Sequence, residues 1–169
     1  MTGRRAVLGA LLGLPLLVAC KRTAAPATLA VGDPMPGFRL PTSRAADHAV
    51  AAGTGPFLLN FWATWCPPCR AEMAALDRVH RGLAPRGLAV LGISVDDDVF
   101  LVQEFALKER LTLPLLFDRG GELARKAFRV AGYPSSFLVD RRGVVAEVWV
   151  GERDWDSAPI RARLEQLLI

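Results

Sequence analysis

The sequence predicts an α/β fold with a central mixed β-sheet and helices on both faces. Two continuous apolar runs, Phe57–Trp62 and residues 88–95, are typical of buried parallel strands. A segment with helical periodicity lies between them, which makes a βαβ unit. Nearer the C-terminus, Arg141-Arg142-Gly143 separates two further apolar runs and indicates a hairpin. A βαβ unit closed by a hairpin requires parallel and antiparallel pairs in one sheet.

The remaining elements follow in chain order. Phe38–Leu40 reads as a short extended piece that ends at Pro41, and residues 42–55 read as irregular. The later elements are predicted as a helix from Asp96 to about Arg110, a strand at 113–117, a short helix at 122–128, strands at 136–140 and 144–150, and a final helix capped by Ser157.

Apolar spacing supports the two longer helices. Met73, Leu76, Val79 and Leu83 recur at helical spacing in the segment 67–83, and Pro85-Arg86-Gly87 ends it. In the helix that begins at 96–98, a buried face is predicted for Leu101, Phe105 and Leu107.

The N-terminus has the pattern of an export signal. Arg4-Arg5 precede an apolar run at 6–19 that spans roughly 21 Å as a helix, at ~1.5 Å per residue, which is short for a membrane span. An uncleaved anchor and a twin-arginine signal are the alternatives. Leu17-Val18-Ala19-Cys20 resembles a bacterial lipobox, in which the cysteine is lipidated and becomes the first mature residue. We therefore predict a signal peptide at 1–19, a lipidated Cys20 with a tether at 20–32, and one domain at 33–169.

Charge and cysteine count exclude several classes of protein. The net charge of +4 includes Arg4 and Arg5, so the rest of the chain carries only +2. That balance does not favour nucleic acid binding. Three cysteines are too few for a disulfide-stapled scaffold or a four-cysteine zinc site, and His48 and His80 are isolated in the sequence. We predict no bound metal and no nucleic acid partner.

Cys66 and Cys69 carry the predicted chemistry. The segment Trp65-Cys66-Pro67-Pro68-Cys69 lies where a buried strand passes into a helix, and two cysteines three residues apart there can form a disulfide. Cys66 falls at the N-cap, where free amide hydrogens and the helix dipole favour a thiolate. We expect Cys66 to be the exposed attacking thiolate and Cys69 the resolving thiol. A structural disulfide across so small a loop would constrain the unfolded chain very little.

The segment FWATWCPPC, residues 61–69, resembles the active site of the thioredoxin superfamily. The longer pattern, with a lipoprotein start, NFWATWCPPCRAE and GYPSSFLVD, is similar to the TlpA/ResA-like thiol-disulfide oxidoreductases. This resemblance implies a thioredoxin-like fold with an extra N-terminal β-hairpin and a redox role in the bacterial envelope. It implies no cofactor beyond the redox-active pair Cys66 and Cys69.

The resemblance also implies a substrate surface. Gly132-Tyr133-Pro134 matches the superfamily's cis-proline loop, which packs against the cysteines and pairs with substrate backbone. Tyr133, Pro134 and Pro67 are therefore expected to bind substrate, together with Trp65 as part of an apolar contact surface. Trp62 is expected in the core.

Glu72 is the third predicted catalytic residue. It follows Cys69 by one helical turn, and in the resembling family a glutamate at this spacing lies near the cysteines. Cytosolic thioredoxins carry an aspartate at the position of Asn60, but the asparagine side chain of this sequence cannot titrate. Glu72 is thus predicted to accept the Cys69 proton with a raised pKa. The alternative is a solvated surface residue favoured by the positive helix end.

The predicted function is an exported, lipid-anchored reductant of protein disulfides facing the periplasm. Within the family, substrates include apocytochrome c haem-binding cysteines and copper-site assembly proteins, and the electrons come from a membrane partner resembling DsbD or CcdA. An oxidant or isomerase uses the same chemistry. A non-catalytic lipoprotein binding module and a peroxidase remain as further alternatives.

Overall fold

The computed structural model describes residues 29–42 and 46–168. The predicted signal peptide and Cys20 lie outside the described residues. The strands are β1 (Phe38–Leu40), β2 (His48–Val50), β3 (Phe57–Trp62), β4 (Ala89–Ser94), β5 (Leu115–Phe117), β6 (Ser135–Val139) and β7 (Val145–Val150). The helices are α1 (Pro67–Leu83), α2 (Val99–Lys108), α3 (Glu122–Lys126) and α4 (Ala158–Gln166).

Strands β3 to β7 form the predicted mixed sheet, in the order β5-β4-β3-β6-β7. The pairs β3–β4 and β4–β5 are parallel, whereas β3–β6 and β6–β7 are antiparallel. β3 is the central strand of this order. Five of its six residues are buried, as its unbroken apolar pattern predicts. The carboxyl end of β3 leads directly into α1, so the segment between them lies at one edge of the sheet.

A separate antiparallel hairpin of β1 and β2 precedes the sheet. The hairpin that the family resemblance implied is therefore present, but residues 42–55 are not wholly irregular as the local pattern predicted. His48 begins β2 and pairs with Leu40. A strand of three residues gives too short an alternation to stand out in the sequence, and its pairing with β1 defines it.

Helix α1 has the predicted bounds and packs its apolar stripe onto the sheet, with Met73, Leu76 and Val79 fully buried. Burying each such side chain contributes about 1.5–3 kcal/mol. The buried Asp77 carboxylate accepts hydrogen bonds from the Thr112 amide (2.6 Å), the Thr112 hydroxyl (2.9 Å) and the Leu113 amide (2.8 Å). Through these contacts Asp77 fixes α1 to the loop before β5.

Helix α2 is shorter than predicted and faces the core with different residues. Asp98 is its N-cap and accepts from the Phe100 amide at 2.9 Å. Val102 is fully buried and Phe105 partly buried, but Leu101 is 50% and Leu107 80% exposed. The predicted inward orientation of Leu101 and Leu107 is therefore wrong, because the helix carries apolar residues on nearly all sides and periodicity could not choose among them.

The N-terminal part of the described chain contacts the segment after α3 and the first residue of β7. The amide of Leu29 donates to Phe128 and that of Gly32 to Val145, at 3.1 and 2.8 Å. Contacts with the domain thus begin before Asp33, where the sequence placed the boundary. Among the helices of the described residues, none combines the length and the apolar character needed to cross a membrane.

Candidate active site

Cys66 and Cys69 form a disulfide at the start of α1, with their Cα atoms 5.3 Å apart. Cys66 is the N-cap in extended backbone conformation, and its Sγ accepts from the Cys69 amide at 3.4 Å. Pro67 occupies the first helical turn, where a residue without an amide hydrogen leaves no hydrogen bond unmade. Pro68 also lacks an amide hydrogen, and the Arg70 amide donates to the Cys66 carbonyl at 3.1 Å, so the first turn of α1 presents the Cys69 amide to the Cys66 sulfur.

The two cysteines differ in exposure. Cys66 retains 5% exposure and Cys69 none, whereas the adjacent Trp65 is 63% exposed. Cys66 is thus less exposed in the disulfide form than the sequence predicted. It is still the cysteine that a partner can reach, and Cys69 lies beneath it.

The loop before β6 forms the second wall of the site. The Tyr133–Pro134 peptide bond is cis, as predicted. Pro134 is buried, and its carbonyl accepts from the Gly151 amide at 2.8 Å. The rings of Trp65 and Tyr133 meet edge to face with centroids 5.8 Å apart. Trp65 and Tyr133 therefore form one aromatic surface beside the disulfide, while Trp62 is fully buried in the core as expected.

Glu72 is buried on α1, one helical turn after Cys69. It is only 3% exposed, which contradicts the alternative of a solvated surface residue. Its Oε1 accepts from Asn60 Nδ2 at 2.8 Å. Its Oε2 accepts from the Arg153 amide and from Trp155 Nε1, both at 3.0 Å. Three N–H groups on two oxygens are the arrangement expected around a buried carboxylate.

Burial dominates the protonation of Glu72. It raises the pKa of Glu72 above the ordinary 4.5, although hydrogen bonds from Arg153, Asn60 and Trp155 each oppose the rise, and the charge of Glu152 adds to it. A carboxyl group whose pKa is displaced toward neutrality can exchange a proton with a neighbouring thiol.

Two of the partners of Glu72 escaped the sequence analysis. Trp155 is fully buried and lies in the segment between β7 and α4, more than 80 positions from Glu72. Nothing in its local pattern distinguishes it from an ordinary core tryptophan. The Arg153 contact is made by the backbone, so no side-chain motif could have indicated it.

The helix start predicted at Asp96 needs correction. Asp96 is buried and lies before α2, which begins at Val99. Its carboxylate accepts from the Thr64 amide (3.0 Å), the Thr64 hydroxyl (2.6 Å) and the Ser94 hydroxyl (2.7 Å). Because Thr64 is two residues before Cys66, Asp96 holds the loop that carries the reactive cysteine.

The assembled site suits thiol-disulfide exchange. It brings together a reachable sulfur at a helix N-terminus, a buried second sulfur, an aromatic surface and a buried carboxylate. Within residues 29–42 and 46–168, no cluster of three or more His, Cys, Asp or Glu side chains could hold a metal ion.

Comparisons with known proteins agree with this chemistry. The model of the AhpC/TSA family matches residues 31–148. The thiol-disulfide oxidoreductase ResA of Geobacillus kaustophilus is 33% identical over 125 residues, which cover 73% of this chain and 71% of the relative.

Solved structures extend the likeness to the fold. A thioredoxin-family thiol:disulfide interchange protein from Chlorobium tepidum has a TM-score of 0.70 and 27% identity, covering 83% of this chain and 99% of the other. A secreted Mycobacterium tuberculosis disulfide oxidoreductase homologous to Escherichia coli DsbE has a TM-score of 0.65 and 26% identity, covering 77% and 96%. Both fold and site chemistry are therefore shared with thiol-disulfide oxidoreductases.

Proposed function

This chain belongs to the AhpC/TSA family of thioredoxin-like proteins as a ResA-like thiol-disulfide oxidoreductase, and we propose that it is an exported, lipid-anchored reductant of protein disulfides. The observation that carries the proposal is the disulfide at the N-terminus of α1, in which Cys66 is reachable and Cys69 is buried.

The reaction transfers two electrons by exchange of disulfides. In the reduced enzyme, the Cys66 thiolate attacks one sulfur of the substrate disulfide, and the other substrate sulfur leaves as a thiolate. Glu72 then takes the proton of Cys69. The Cys69 thiolate attacks Cys66, releases the second substrate sulfur and forms the Cys66–Cys69 disulfide. The substrate has gained two electrons, and the enzyme has lost them.

The substrate is held beside the sulfurs by the aromatic surface of Trp65 and Tyr133. Pro67 and the loop at Pro134 complete this face, and the backbone ahead of Pro134 is placed to pair with an extended peptide. The chemistry needs no cofactor beyond the Cys66–Cys69 pair.

Export is supported by the sequence at 1–20 and by the secreted relative from Mycobacterium tuberculosis. Cleavage before Cys20 and lipidation of its thiol would tether the domain to a membrane, facing the periplasm. A reductant is needed where other cysteines become oxidised, and it must itself receive electrons. We propose a membrane donor resembling DsbD or CcdA, and substrates such as apocytochrome c or copper-site assembly proteins.

The reduction potential of the purified protein tests the direction of transfer. The full chain is equilibrated with defined thiol buffers, and the fraction with a Cys66–Cys69 disulfide is measured. We expect a value near or below about −250 mV, in the range of thioredoxin-like reductants. A value near about −120 mV would place the protein with strong oxidants, and the reductase function would be withdrawn.

A further inference from the structure

Asn60 joins the active-site carboxylate to a neighbouring strand. It lies in β3, is fully buried and pairs in register with Ser136 of β6. Its Nδ2 donates to Glu72 Oε1 at 2.8 Å and to Ser136 Oγ at 2.9 Å. Its Oδ1 is buried, and no donor among the described residues reaches it. The amide nitrogen therefore donates both of its hydrogens, whereas the amide oxygen accepts no hydrogen bond from the described residues.

These contacts suit only the ionised form of Glu72. An ionised carboxylate only accepts hydrogen bonds, so each of the roughly four lone-pair sites on its two oxygens can face a donor. A neutral carboxyl group has a proton of its own to donate. Oε2 faces the Arg153 amide and Trp155 Nε1, and Oε1 faces Asn60 Nδ2, all of which are donors. In this arrangement none of the three partners can accept the proton of a neutral Glu72.

Half a turn of the Asn60 amide removes this conflict. Rotation about its terminal bond exchanges Oδ1 and Nδ2, so that Oδ1 faces both Glu72 Oε1 and Ser136 Oγ. Oδ1 can accept two hydrogen bonds, and the Ser136 hydroxyl can donate as well as accept. The same three side chains then stay hydrogen-bonded with every polarity reversed.

We propose that Asn60 is a positioning residue for Glu72: its amide donates through Nδ2 when Glu72 is ionised and rotates to accept through Oδ1 when Glu72 is neutral. The inference rests on the proposed role of Glu72 in taking the Cys69 proton. Asn60 itself exchanges no proton. It keeps Glu72 in place in both states, so that the carboxyl group can receive and return a proton without moving.

Other charges around Glu72 come from several elements. Cys69 precedes it by one turn on α1, and the Glu152 carboxylate acts on it from the segment after β7. Arg78, Asp154 and Asp156 line the surface opening beside it, with Arg78 paired to Asp156. The proposed rotation of the Asn60 amide takes place on the buried side of Glu72, away from this surface opening, between β3 and β6.

Nuclear magnetic resonance of the reduced full chain tests the rotation directly. Asparagine side chains are labelled with ¹⁵N and the Glu72 carboxyl carbon with ¹³C, and both are followed through the titration of Glu72. We expect the Asn60 amide protons to contact Glu72 and Ser136 above the midpoint and to lose both contacts below it. Glu72→Gln should show the low-pH pattern at every pH, because its Nε2 donates to Asn60 Oδ1. An amide that keeps its high-pH contacts in both cases overturns the proposal.

Kinetics of Asn60→Leu give a second measurement. The probe is oxidised glutathione, and the rate measured is resolution of the mixed disulfide at Cys66. A fixed donor stabilises only ionised Glu72, so its loss would raise the midpoint of the pH profile. A rotating amide supports both forms, so we expect a slower rate with a midpoint displaced by less than about half a pH unit. A rise of a full unit or more contradicts the rotation.

The control is Asn60→Leu combined with Glu72→Gln. If Asn60 acts through Glu72, this pair should resolve the mixed disulfide at the rate of Glu72→Gln alone. An additional loss would show that Asn60 acts elsewhere and would overturn the proposal. None of these results depends on the reduction potential, so failure of the reductase function is recognised separately.

Discussion

In the proposed mechanism, Cys66 and two residues of α1 divide the exchange reaction between them. Cys66 is at the N-cap, Cys69 is one turn further on, and Glu72 is one turn beyond that. Spacing of three residues keeps all three on one side of the helix. Cys66 retains 5% exposure beside the exposed Trp65, whereas Cys69 is fully buried and Glu72 is 3% exposed. The residue proposed to meet the substrate is thus two helical turns from the residue proposed to take the proton.

Replacing each cysteine separately should divide the reaction into its two steps. Cys66→Ser removes the attacking thiolate, and we expect it to abolish disulfide exchange. Cys69→Ser leaves the attack intact but removes resolution, so a mixed disulfide with the substrate should accumulate. Non-reducing electrophoresis of each reduced variant with a protein disulfide distinguishes the two results. Full exchange activity in Cys66→Ser would contradict the mechanism, and a non-catalytic binding module would work equally well with either serine.

Glu72 should make the protein less stable at neutral pH. Burial raises the pKa of Glu72 above 4.5, so the folded state binds this proton more tightly than the unfolded state. The resulting stabilisation is complete below pH 4.5 and is lost as the pH rises through the folded pKa. We therefore expect Glu72→Gln to raise the free energy of unfolding at pH 7, with a gain that shrinks toward pH 4 in urea titrations. A gain that is constant with pH would assign the effect to packing.

The same variant should slow exchange by about 100-fold, the lower end of the range for general acid–base catalysis. It should also flatten the pH profile, because the substituted glutamine side chain cannot take the Cys69 proton. The rate of exchange with a protein disulfide is measured from about pH 5 to about pH 9, a range that brackets the pKa of a tuned general base. An unchanged profile would leave Glu72 with a structural role only.

At the scale of elements, prediction succeeded where apolar patterns were long. The bounds of β3 and α1 match the sequence analysis because one is an unbroken apolar run and the other has clear periodicity and end signals. β2 was missed because three residues carry too little pattern. Leu101 and Leu107 were misplaced because α2 is apolar on several faces. The Trp155 and Arg153 contacts with Glu72 depend on tertiary packing, which no local motif encodes.

Alanine substitution at two glycines should change stability in opposite directions, because one glycine lies at a close backbone contact and the other lies in an open position of a helix. Gly143, between β6 and β7, has φ of +73°, and a Cβ there would collide with the backbone of Gly53 in the turn before β3. Gly143→Ala should destabilise the fold by about 2–4 kcal/mol, through the strained φ and the displaced backbone. Gly82 lies in α1, and its nearest neighbour would be Arg161 at 3.9 Å. Gly82→Ala should stabilise by about 0.5–1 kcal/mol. Thermal unfolding compares the pair, and equal effects would contradict the close packing.

For the whole molecule, the domain and its attachment are separate matters. The described residues form one sheet with its hairpin and helices, and they account for the exchange chemistry. Location depends on the N-terminal sequence, where Cys20 follows an apolar run that is short for a membrane span. Attachment through an acylated Cys20 would place the proposed reductant at a membrane, close to the proposed membrane donor.

Cys20→Ser tests this attachment while leaving Cys66 and Cys69 unchanged. Each acyl CH₂ buried in the bilayer contributes about 0.8 kcal/mol, so loss of the lipidated thiol should remove the main membrane affinity of the mature chain. We expect the native chain, expressed in a bacterium, to incorporate labelled palmitate and to sediment with membranes. Cys20→Ser should incorporate none, and Lys21→Ser, the adjacent control, should behave as the native chain does. A Cys20→Ser protein that is processed and then released would confirm the lipid as the anchor. A native chain that incorporates no palmitate and sediments with residues 1–19 still attached would instead identify residues 6–19 as an uncleaved anchor.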